Sequence, residues 1–249
     1  MFNGKRITFI GPGVLAEGMF SGLIRKTVAA PDAIIAAGPR QKRLDDLKSR
    51  YGIDVNTNNS LAAECADVVV LSIKPQRLDH VLVGLNGSIQ PGALILSIIA
   101  GAPIGKISVG LNHPNVVRSM PNTPAQIGEG ITVWTASAEV TDEQQEMARQ
   151  ILSALGDEIF LEEEYYLDMA TALSGTGPAY VFLFMEAMVD AGVHLGFPRR
   201  VAERLVAQTV RGSVDYYQKG DDPVHLARLR NQVTSPGGTS AEALYYLEK

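Results

Sequence analysis

The sequence predicts an α/β protein that consists of a parallel β-sheet covered by helices, followed by an all-α domain. Up to residue 161, short β-branched runs alternate with longer helical patterns, which is typical of a parallel sheet with helical crossovers. After the three glutamates at 162–164 the strand pattern stops and long apolar-periodic segments follow. We therefore expect one domain over residues 1–161 and a helical domain over residues 162–249.

The first part contains seven segments with the length and β-branched content of strands. These strands are predicted at Arg6–Ile10, Ala33–Ala37, Asp67–Ile73, Leu94–Ile99, Val116–Arg118, Ile131–Trp134 and Glu158–Leu161. Helical patterns between them include Leu15–Lys26, Gln41–Tyr51 and Asp142–Leu155. Strands separated by helices in this way are expected to run parallel.

The second part contains four apolar-periodic segments, which predict helices at Tyr165–Leu173, Pro178–Leu195, Pro198–Gln218 and Pro223–Val233. Proline is tolerated at a helix start, where its missing N–H costs nothing. The apolar run from Val181 through Val189 is too continuous for the single buried stripe of a lone helix. Part of it is expected to pack on a second subunit, which predicts a homodimer or a higher homo-oligomer.

Composition and charge argue against several kinds of partner. The 249 residues carry a formal net charge of -5, so no global attraction to nucleic acid is expected. Cys65 is the only cysteine, which fits a reducing compartment, and its apolar neighbours predict a buried, unreactive thiol. The chain start lacks a signal-peptide pattern, and the longest apolar run, residues 93–100, is far shorter than the ~20 residues of a membrane span. We expect a cytoplasmic protein with no membrane partner and no metal.

The first strand runs directly into the segment 11–16, Gly-Pro-Gly-Val-Leu-Ala, and then into a helix. This is a G-x-G-x-x-A form of the dinucleotide-binding fingerprint in its required strand–turn–helix setting. Gly11 permits the tight turn, Gly13 lets a pyrophosphate approach the backbone, and Ala16 allows close helix packing beside the positive helix N-terminus. The position after the first strand of an alternating chain disfavours a purely structural glycine turn. We therefore predict a Rossmann-type domain that binds a dinucleotide.

The end of the second strand indicates which dinucleotide is bound. An NAD enzyme usually places an acidic residue there against the ribose 2′-hydroxyl, whereas this chain has Arg40, Lys42 and Arg43 and no acid. Arg40 is the best candidate for a 2′-phosphate because its planar guanidinium suits that group. For Lys42 and Arg43 a solvated helix start is an equally good interpretation. We expect NADP(H) as the cofactor, with NAD(H) bound more weakly.

Turns after three later strands are also expected to line the cofactor crevice, because ligands bind at the carboxyl ends of parallel strands. They contain Lys74-Pro75, Ala100-Gly101 and the segment 118–125. A Lys-Pro pair can be an ordinary loop, but a rigid turn would hold adjacent backbone against a ribose. Asn122 offers an amide that can fix a carboxamide or a ribose.

Four motifs in a fixed order carry a resemblance to a known family: Lys74-Pro75-Gln76, residues 118–125, Ala172-Leu-Ser-Gly-Thr-Gly-Pro-Ala-Tyr180 and Val233-Thr-Ser-Pro-Gly-Gly-Thr239. Over nearly its whole length the chain resembles pyrroline-5-carboxylate reductase. The resemblance implies a Rossmann domain, a helical dimerisation domain and a hydride donor, NAD(P)H. It also implies the reaction, reduction of 1-pyrroline-5-carboxylate to L-proline in the last step of proline biosynthesis.

The resemblance also implies site residues. The family's cofactor contacts fall on Gly11, Gly13, Val14, Leu15, Ala16, Asn59, Ser72, Lys74, Pro75, Ala100 and Asn122, and its substrate loop on Ser235, Gly237, Gly238, Thr239 and Ser240. Val14 stands where the family often has a polar residue, and Ser240 stands where threonine is usual. Family members usually continue through another helix beyond Lys249, so this chain is expected to be naturally short or shortened.

The segment 235–240 suits a substrate with one carboxylate and one C=N bond. Gly237 and Gly238 expose consecutive backbone N–H groups, and a helix that begins near Thr239 directs its positive end towards them. The alternative is a simple helix start, because Thr239-x-x-Glu242 is a capping-box pattern. Both interpretations can hold together, and the glycine pair, which costs stability, favours an anion site. Ser240 can hydrogen-bond the imine nitrogen and is the catalytic candidate.

Two other functions compete with this one. A β-hydroxyacid dehydrogenase of the same architecture would need a lysine general acid or base at the start of the first long helix, where this chain has Ser174-Gly-Thr-Gly177. A non-catalytic nucleotide sensor would not need a substrate loop. The four histidines have ordinary structural interpretations, and none is predicted to be catalytic.

Overall fold

The computed structural model describes residues 4–219 and 225–248. The chain forms two compact units, Met1–Pro178 and Ala179–Lys249, and each is described by itself. The predicted domain boundary at residues 161 and 162 stays a prediction. The first helix beyond it packs on the sheet of the first unit, because its Leu167 and Ala170 are buried together with Val133.

The sheet of the first unit has eight strands. They are β1 (Ile7–Ile10), β2 (Ile34–Ala37), β3 (Asp54–Asn56), β4 (Val68–Leu71), β5 (Leu94–Ser97), β6 (Val116–Met120), β7 (Gly130–Ala136) and β8 (Gly156–Phe160). Their spatial order is β3-β2-β1-β4-β5-β6-β7-β8. The seven predicted strands are all present, and β3 was missed because its sequence, Asp-Val-Asn, holds a single apolar residue at the edge of the sheet.

Strands β1 to β6 run parallel, which confirms the predicted Rossmann-type sheet. Strand β7 is antiparallel to β6, and β8 is parallel to β7, so the expectation of parallel strands fails at this edge. The reason is the length of the connection. Residues 121–129 between β6 and β7 form only a short 3₁₀ turn, whereas a parallel crossover needs a dozen or more residues.

Helices cover both faces of the sheet and bury two hydrophobic clusters against it. In chain order they are α1 (Val14–Arg25), α2 (Gln41–Tyr51), α3 (Asn59–Ala63), α4 (Leu78–Leu85), α5 (Ile104–Leu111) and α6 (Asp142–Ser153). Helices α1, α2 and α6 share a cluster with Phe9, whereas α3, α4 and α5 share the other with Ile10. Neighbouring residues of β1 enter opposite clusters because side chains alternate along a strand.

The chain leaves the sheet through α7 (Tyr166–Ala170), a π-helical turn over Thr171–Gly175 and α8 (Gly177–His194). Two separate helices were predicted here, and the structure instead has a nearly continuous helical path with a π turn. Gly175 lies against β6, since a Cβ atom at this position would be 2.6 Å from Cε of Met120. A larger residue at this position would therefore require the end of the Met120 side chain to move.

The second unit contains most of α8 together with α9 (Arg199–Gln218), α10 (Leu226–Gln232) and α11 (Thr239–Leu247). The start of the predicted helix Pro223–Val233 lies outside the described residues, and α10 begins at Leu226. In the described part of this unit, one small hydrophobic cluster is buried, formed by Val189, Ala202 and Val206. Large apolar side chains on α8 and α9 are exposed instead.

Two features of the structure bear on the predicted surroundings of the protein. Cys65 is exposed, so the predicted buried thiol is wrong: the side chain follows α3 and points outwards while Ala63 and Ala66 are buried.

The stretch Tyr166–His194 has the length and composition of a membrane-spanning helix, and 6% of its most apolar part is buried. One such helix is weak evidence for a span, and the absence of a membrane partner stays a prediction.

Candidate active site

The fingerprint turn between β1 and α1 has the geometry that an anion site needs. Gly11 has φ +89°, and its N–H donates to the carbonyl oxygen of Ala37 at 2.9 Å. A Cβ atom on Gly11 would be 2.5 Å from Cγ2 of Ile73, so only glycine fits. At Gly13 the nearest atom to such a Cβ would be 3.9 Å away, which leaves this side of the turn open.

The N-terminus of α1 lacks a side-chain cap, and Gly13 is its N-cap residue. The N–H groups of its first turn are therefore free to donate to a ligand, and the helix dipole favours an anion there. Ala16 is buried and permits close packing, Leu15 is half-buried against the core, and Val14 is 63% exposed. Because Val14 is apolar, only its backbone can contribute to phosphate binding.

Ser72, which follows β4, stabilises the fingerprint turn. Its hydroxyl lies 3.0 Å from the carbonyl oxygens of both Ile10 and Gly11. This side chain therefore holds the backbone on which a pyrophosphate would rest. A direct contact of Ser72 with the cofactor stays a prediction.

The three cations after β2 differ in their surroundings. Arg40 is exposed at the start of α2, and neither it nor Lys42 has a side-chain partner in the part of the chain that the structure describes. Arg43, in contrast, forms an ion pair with Glu17 and donates to the carbonyl oxygen of Pro12 at 3.3 Å and to Asp46 at 3.3 Å. Arg40 is therefore free to bind a phosphate, whereas the guanidinium of Arg43 is already engaged.

Glu17 is the centre of a group of charged side chains that joins α1 to α2, here called the Glu17 cluster: Glu17, Arg43, Asp46, Arg50 and Tyr51. The Tyr51 hydroxyl donates to Glu17 at 2.7 Å, and Arg50 contacts Glu17 at 2.5 Å and Asp46 at 3.0 Å. Burial by itself would raise the pKa of Glu17, but hydrogen bonds from Arg43, Tyr51 and Arg50 lower it below its ordinary value. This cluster was not predicted from the sequence. The signal that could have indicated it is Glu17, an acidic residue in the first turn of α1.

Asn59 supports a ligand site at the start of α3. Its Oδ1 atom is buried and has no hydrogen-bond partner among residues 4–219 and 225–248. A buried oxygen without a donor costs stability, so a donor from outside the chain is expected. A ribose hydroxyl of a dinucleotide can supply that donor, and the residue present therefore fits the cofactor that the fingerprint predicts.

The other predicted cofactor residues lie on turns at the carboxyl ends of the parallel strands. Lys74 and Pro75 are exposed at the start of a 3₁₀ turn, and Ala100 is half-buried before Gly101, which has φ +67°. Asn122 is nearly buried, and its side-chain oxygen accepts from the N–H of Ile131 at 3.1 Å. The side-chain nitrogen of Asn122 and the second lone pair of its oxygen are thus left to bind a ligand.

Arg118 in β6 begins the segment that was expected to line the cofactor crevice, but its ion pairs were not predicted. It is 4% exposed and forms ion pairs with Glu164 at 3.0 Å and Asp168 at 2.6 Å. Glu164 also accepts from the N–H of Ile104, the first residue of α5, at 2.8 Å. These bonds fix the strand end from which the segment with Asn122 emerges. The partners are 46 and 50 residues away in sequence, so no local pattern indicates them.

The predicted substrate loop is a tight turn before α11. Gly237 has φ +70°, and the N–H of Gly238 donates to the carbonyl oxygen of Ser235 at 3.0 Å. The N-cap residue of α11 is Gly238 and no side chain caps the helix, so the predicted Thr239–Glu242 capping box is wrong. As a result, the N–H groups of Thr239 and Ser240 have no partner in the described residues. The helix start is confirmed, and it leaves donors available to an anion.

Comparison with known proteins identifies the family. The family model described as pyrroline-5-carboxylate reductase dimerisation matches residues 164–249. A curated pyrroline-5-carboxylate reductase from Synechocystis is 38% identical over 98% of this chain and 90% of its own length. Another from Pseudomonas aeruginosa is 42% identical over 96% of this chain and 87% of its own length. This chain belongs to the pyrroline-5-carboxylate reductase family.

Solved structures agree with the membership in the pyrroline-5-carboxylate reductase family. The Coxiella burnetii pyrroline-5-carboxylate reductase has a TM-score of 0.87 and 35% identity, covering 98% of this chain and 90% of that one. The Plasmodium falciparum enzyme, solved with NADP bound, has a TM-score of 0.89 and 30% identity with the same coverage. Residues 6–101 also match a family model described as NADP oxidoreductase coenzyme F420-dependent, which covers the fingerprint half of the sheet. Members of the family are NADP-dependent oxidoreductases that catalyse the last step of proline biosynthesis.

The dimerisation match explains the apolar surface of the second unit. It spans the helices whose large side chains are exposed in a single chain, such as Phe182 and Leu183 on α8. The predicted homo-oligomer is thereby confirmed at the level of the family. The predicted cytoplasmic location and the absence of a nucleic-acid partner stay predictions.

Proposed function

We propose that this protein reduces 1-pyrroline-5-carboxylate to L-proline with NADPH as the hydride donor. One observation carries the proposal: similarity to curated pyrroline-5-carboxylate reductases extends over nearly the whole chain, from the fingerprint turn to the substrate loop. The bound structure of the Plasmodium falciparum relative supports NADP as the cofactor. The cofactor supplies the hydride, and the residues of this chain bind and orient the reactants.

Different residues of the cofactor site bind different parts of the dinucleotide. The uncapped start of α1 and the open side of Gly13 receive the pyrophosphate. The unpartnered oxygen of Asn59 accepts from the adenosine ribose, and Arg40 pairs with the 2′-phosphate. Lys74, Pro75, Ala100 and Asn122 are assigned to the rest of the cofactor by their position at the carboxyl ends of β4, β5 and β6.

The substrate residues act through backbone donors. The free N–H groups at the start of α11 bind the substrate carboxylate, helped by the positive end of the helix. Ser235 shapes the turn through its bond to Gly238, and Gly237 allows it through its positive φ. Binding the carboxylate orients the ring and so reduces the entropy cost of the reaction.

Ser240 is the proposed catalytic residue. A protonated imine is already electrophilic, so the reaction needs little acid catalysis, but the nitrogen changes from iminium to amine as the hydride arrives. A hydroxyl can both accept and donate and can therefore follow that change. Three of the four histidines bond backbone groups near them: His113 bonds the carbonyl oxygen of Ala93 at 2.7 Å, His194 bonds that of Asp190 at 3.1 Å, and His225 accepts from the N–H of Ala227.

The helical unit is proposed to assemble as a homodimer, because a core of three buried residues is too small for helices of this length. Sedimentation at micromolar concentration should report a dimer or a multiple of it. A folded monomer would contradict this assembly.

The proposed reaction is tested by mixing the purified protein with NADPH and 1-pyrroline-5-carboxylate and following the absorbance of NADPH together with the formation of L-proline. We expect both to change in a ratio of one to one. Hydroxyacids with NADP⁺ serve as the control for the competing dehydrogenase and should give no turnover. Turnover with a hydroxyacid, or none with the imine, would refute the proposal.

A further inference from the structure

We propose that Glu17 tunes cofactor specificity by neutralising most of the charge of Arg43 beside the fingerprint turn, so that Arg40, with Lys42 close by, provides the free charge for the 2′-phosphate. The inference rests on the proposed function, since it concerns the same cofactor. It assigns a role to a residue that contacts no substrate and lies outside the fingerprint glycines.

Arg43 lies beside both the fingerprint turn and the end of β2. Arg43 donates to the carbonyl oxygen of Pro12, the residue between Gly11 and Gly13. Pro12 also borders the end of β2, because a Cβ atom on Gly38 would be 3.0 Å from its Cδ. The guanidinium of Arg43 therefore adjoins the strand end at which dinucleotide-binding proteins distinguish a ribose hydroxyl from a 2′-phosphate.

The charge of Arg43 is balanced by acidic side chains. The Glu17 cluster holds two arginines and two acids, so its formal charges cancel. Three of the five N–H donors of Arg43 are directed at Pro12, Glu17 and Asp46. The Arg43 side chain is 25% exposed, so it remains accessible to a ligand if its partner charge is removed. Arg40, the N-cap residue of α2 three residues earlier, has no such partner among the described residues.

NADPH and NADH differ only at the group that Arg43 would meet. NADPH and NADH have the same pyrophosphate, and NADPH adds a 2′-phosphate with about two negative charges. A carboxylate in the first turn of α1 repels the phosphates of both, but its effect through Arg43 acts at the 2′-phosphate alone. The ratio of the two dissociation constants therefore isolates this effect from any general change in the fold.

The test measures equilibrium dissociation constants of NADPH and NADH by titration of cofactor fluorescence. Glu17→Gln keeps the shape of the side chain and removes its charge, which should raise the preference for NADPH about three- to tenfold, the scale of one unscreened surface charge. Arg43→Gln removes the guanidinium through which Glu17 acts, while Arg50 still pairs with Glu17, and should lower the preference by a smaller factor because only the residual attraction of the paired Arg43 is lost. Tyr51→Phe, which removes a hydrogen bond to Glu17 but no charge, is the matched control and should leave the ratio unchanged.

Raising the salt concentration should shrink the effect of Glu17→Gln, because the interaction is electrostatic. In an Arg43→Gln background the Glu17→Gln change should no longer raise the NADPH preference. An unchanged or lower preference in folded Glu17→Gln, or an unchanged ratio in Arg43→Gln, would overturn the inference. Failure of the proposed function would appear differently, as absence of turnover with the imine while the binding ratios still shift.

Discussion

The sheet unit and the helical unit bury their apolar side chains in different ways. In the first unit, two large clusters fill both faces of the sheet, and side chains such as Phe9, Phe20 and Trp134 are completely buried. In the described part of the second unit, three residues form the buried cluster, while Phe182 on α8 is 61% exposed. The first unit thus has a core of its own, and the second completes its core with another chain.

This difference separates the two halves of the proposed chemistry. The proposed cofactor residues lie on the unit that has two large buried clusters, whereas the proposed substrate loop lies before α11 in the unit that matches the dimerisation family model. Loss of the oligomer should therefore impair substrate turnover far more than cofactor binding. The following variants test whether substrate turnover depends on the oligomer while cofactor binding does not.

The largest effect is expected from Phe182→Asp, which places a charge on the exposed apolar surface of α8. Removing an aromatic anchor from an interface typically costs 2 kcal/mol or more, which is about a 30-fold weaker association. Sedimentation should show monomers, turnover should be lost, and NADPH affinity should stay within about twofold. Val109→Asp is the matched control, since Val109 on α5 of the first unit is 82% exposed. A dimeric, active Phe182→Asp enzyme would contradict the expectation that this surface of α8 packs on a partner chain.

The next effect is expected from Ser240→Ala, which removes the proposed catalytic hydroxyl. We expect kcat to fall roughly 100-fold, the low end of the range for loss of a proton-handling group, with a smaller rise in KM for the imine. Ser240→Thr restores a hydroxyl and should be nearly silent in steady-state kinetics. Full activity in Ser240→Ala would show that backbone donors and positioning carry the reaction.

Gly238→Ala provides a contrast within the same loop. Its Cβ atom would lie 3.1 Å from the carbonyl oxygen of Ser235, which crowds the turn without removing a reacting group. It should chiefly raise KM for the imine, whereas Ser240→Ala should chiefly lower kcat.

On the cofactor side, Arg40→Glu should weaken NADPH binding by about 1–3 kcal/mol, the scale of one charged hydrogen bond. NADH binding should change little, because NADH lacks the 2′-phosphate. Lys42→Glu is the control, because it makes the same change of charge at a position two residues away. If titrations of Arg40→Glu show equal losses of affinity for NADPH and NADH, Arg40 does not bind the 2′-phosphate.

The smallest effect is a pH dependence of stability that comes from Glu17. Its pKa in the folded protein lies below the ordinary 4.5, so the carboxylate stabilises the fold above that pH, and this contribution is lost as pH falls through the lowered pKa. Denaturation of Glu17→Gln should show a deficit of about 1 kcal/mol near neutral pH, which shrinks at acid pH. A deficit independent of pH would mean that packing, not charge, is involved.

The sequence was sufficient for features that depend on local pattern, and insufficient where partners are distant. Alternating strands and helices predicted the Rossmann-type unit, and the fingerprint glycines predicted the turn that Gly11 forms. The direction of β7 depended on connection length, and the capping box at Thr239 failed because Gly238 took the N-cap position. The Glu17–Arg43 and Arg118–Asp168 pairs join residues 26 and 50 positions apart, so only the packed structure brings them together.

The central claim, that this chain transfers a hydride from NADPH to an imine carbon, is tested most directly by isotope transfer. NADPH carrying deuterium at C4 of the nicotinamide, on each face in turn, is incubated with the protein and 1-pyrroline-5-carboxylate, and the proline is analysed by mass spectrometry and NMR. We expect one of the two labelled cofactors to give proline with a single deuterium at C5. Unlabelled proline from both cofactors, or no proline at all, would contradict the account.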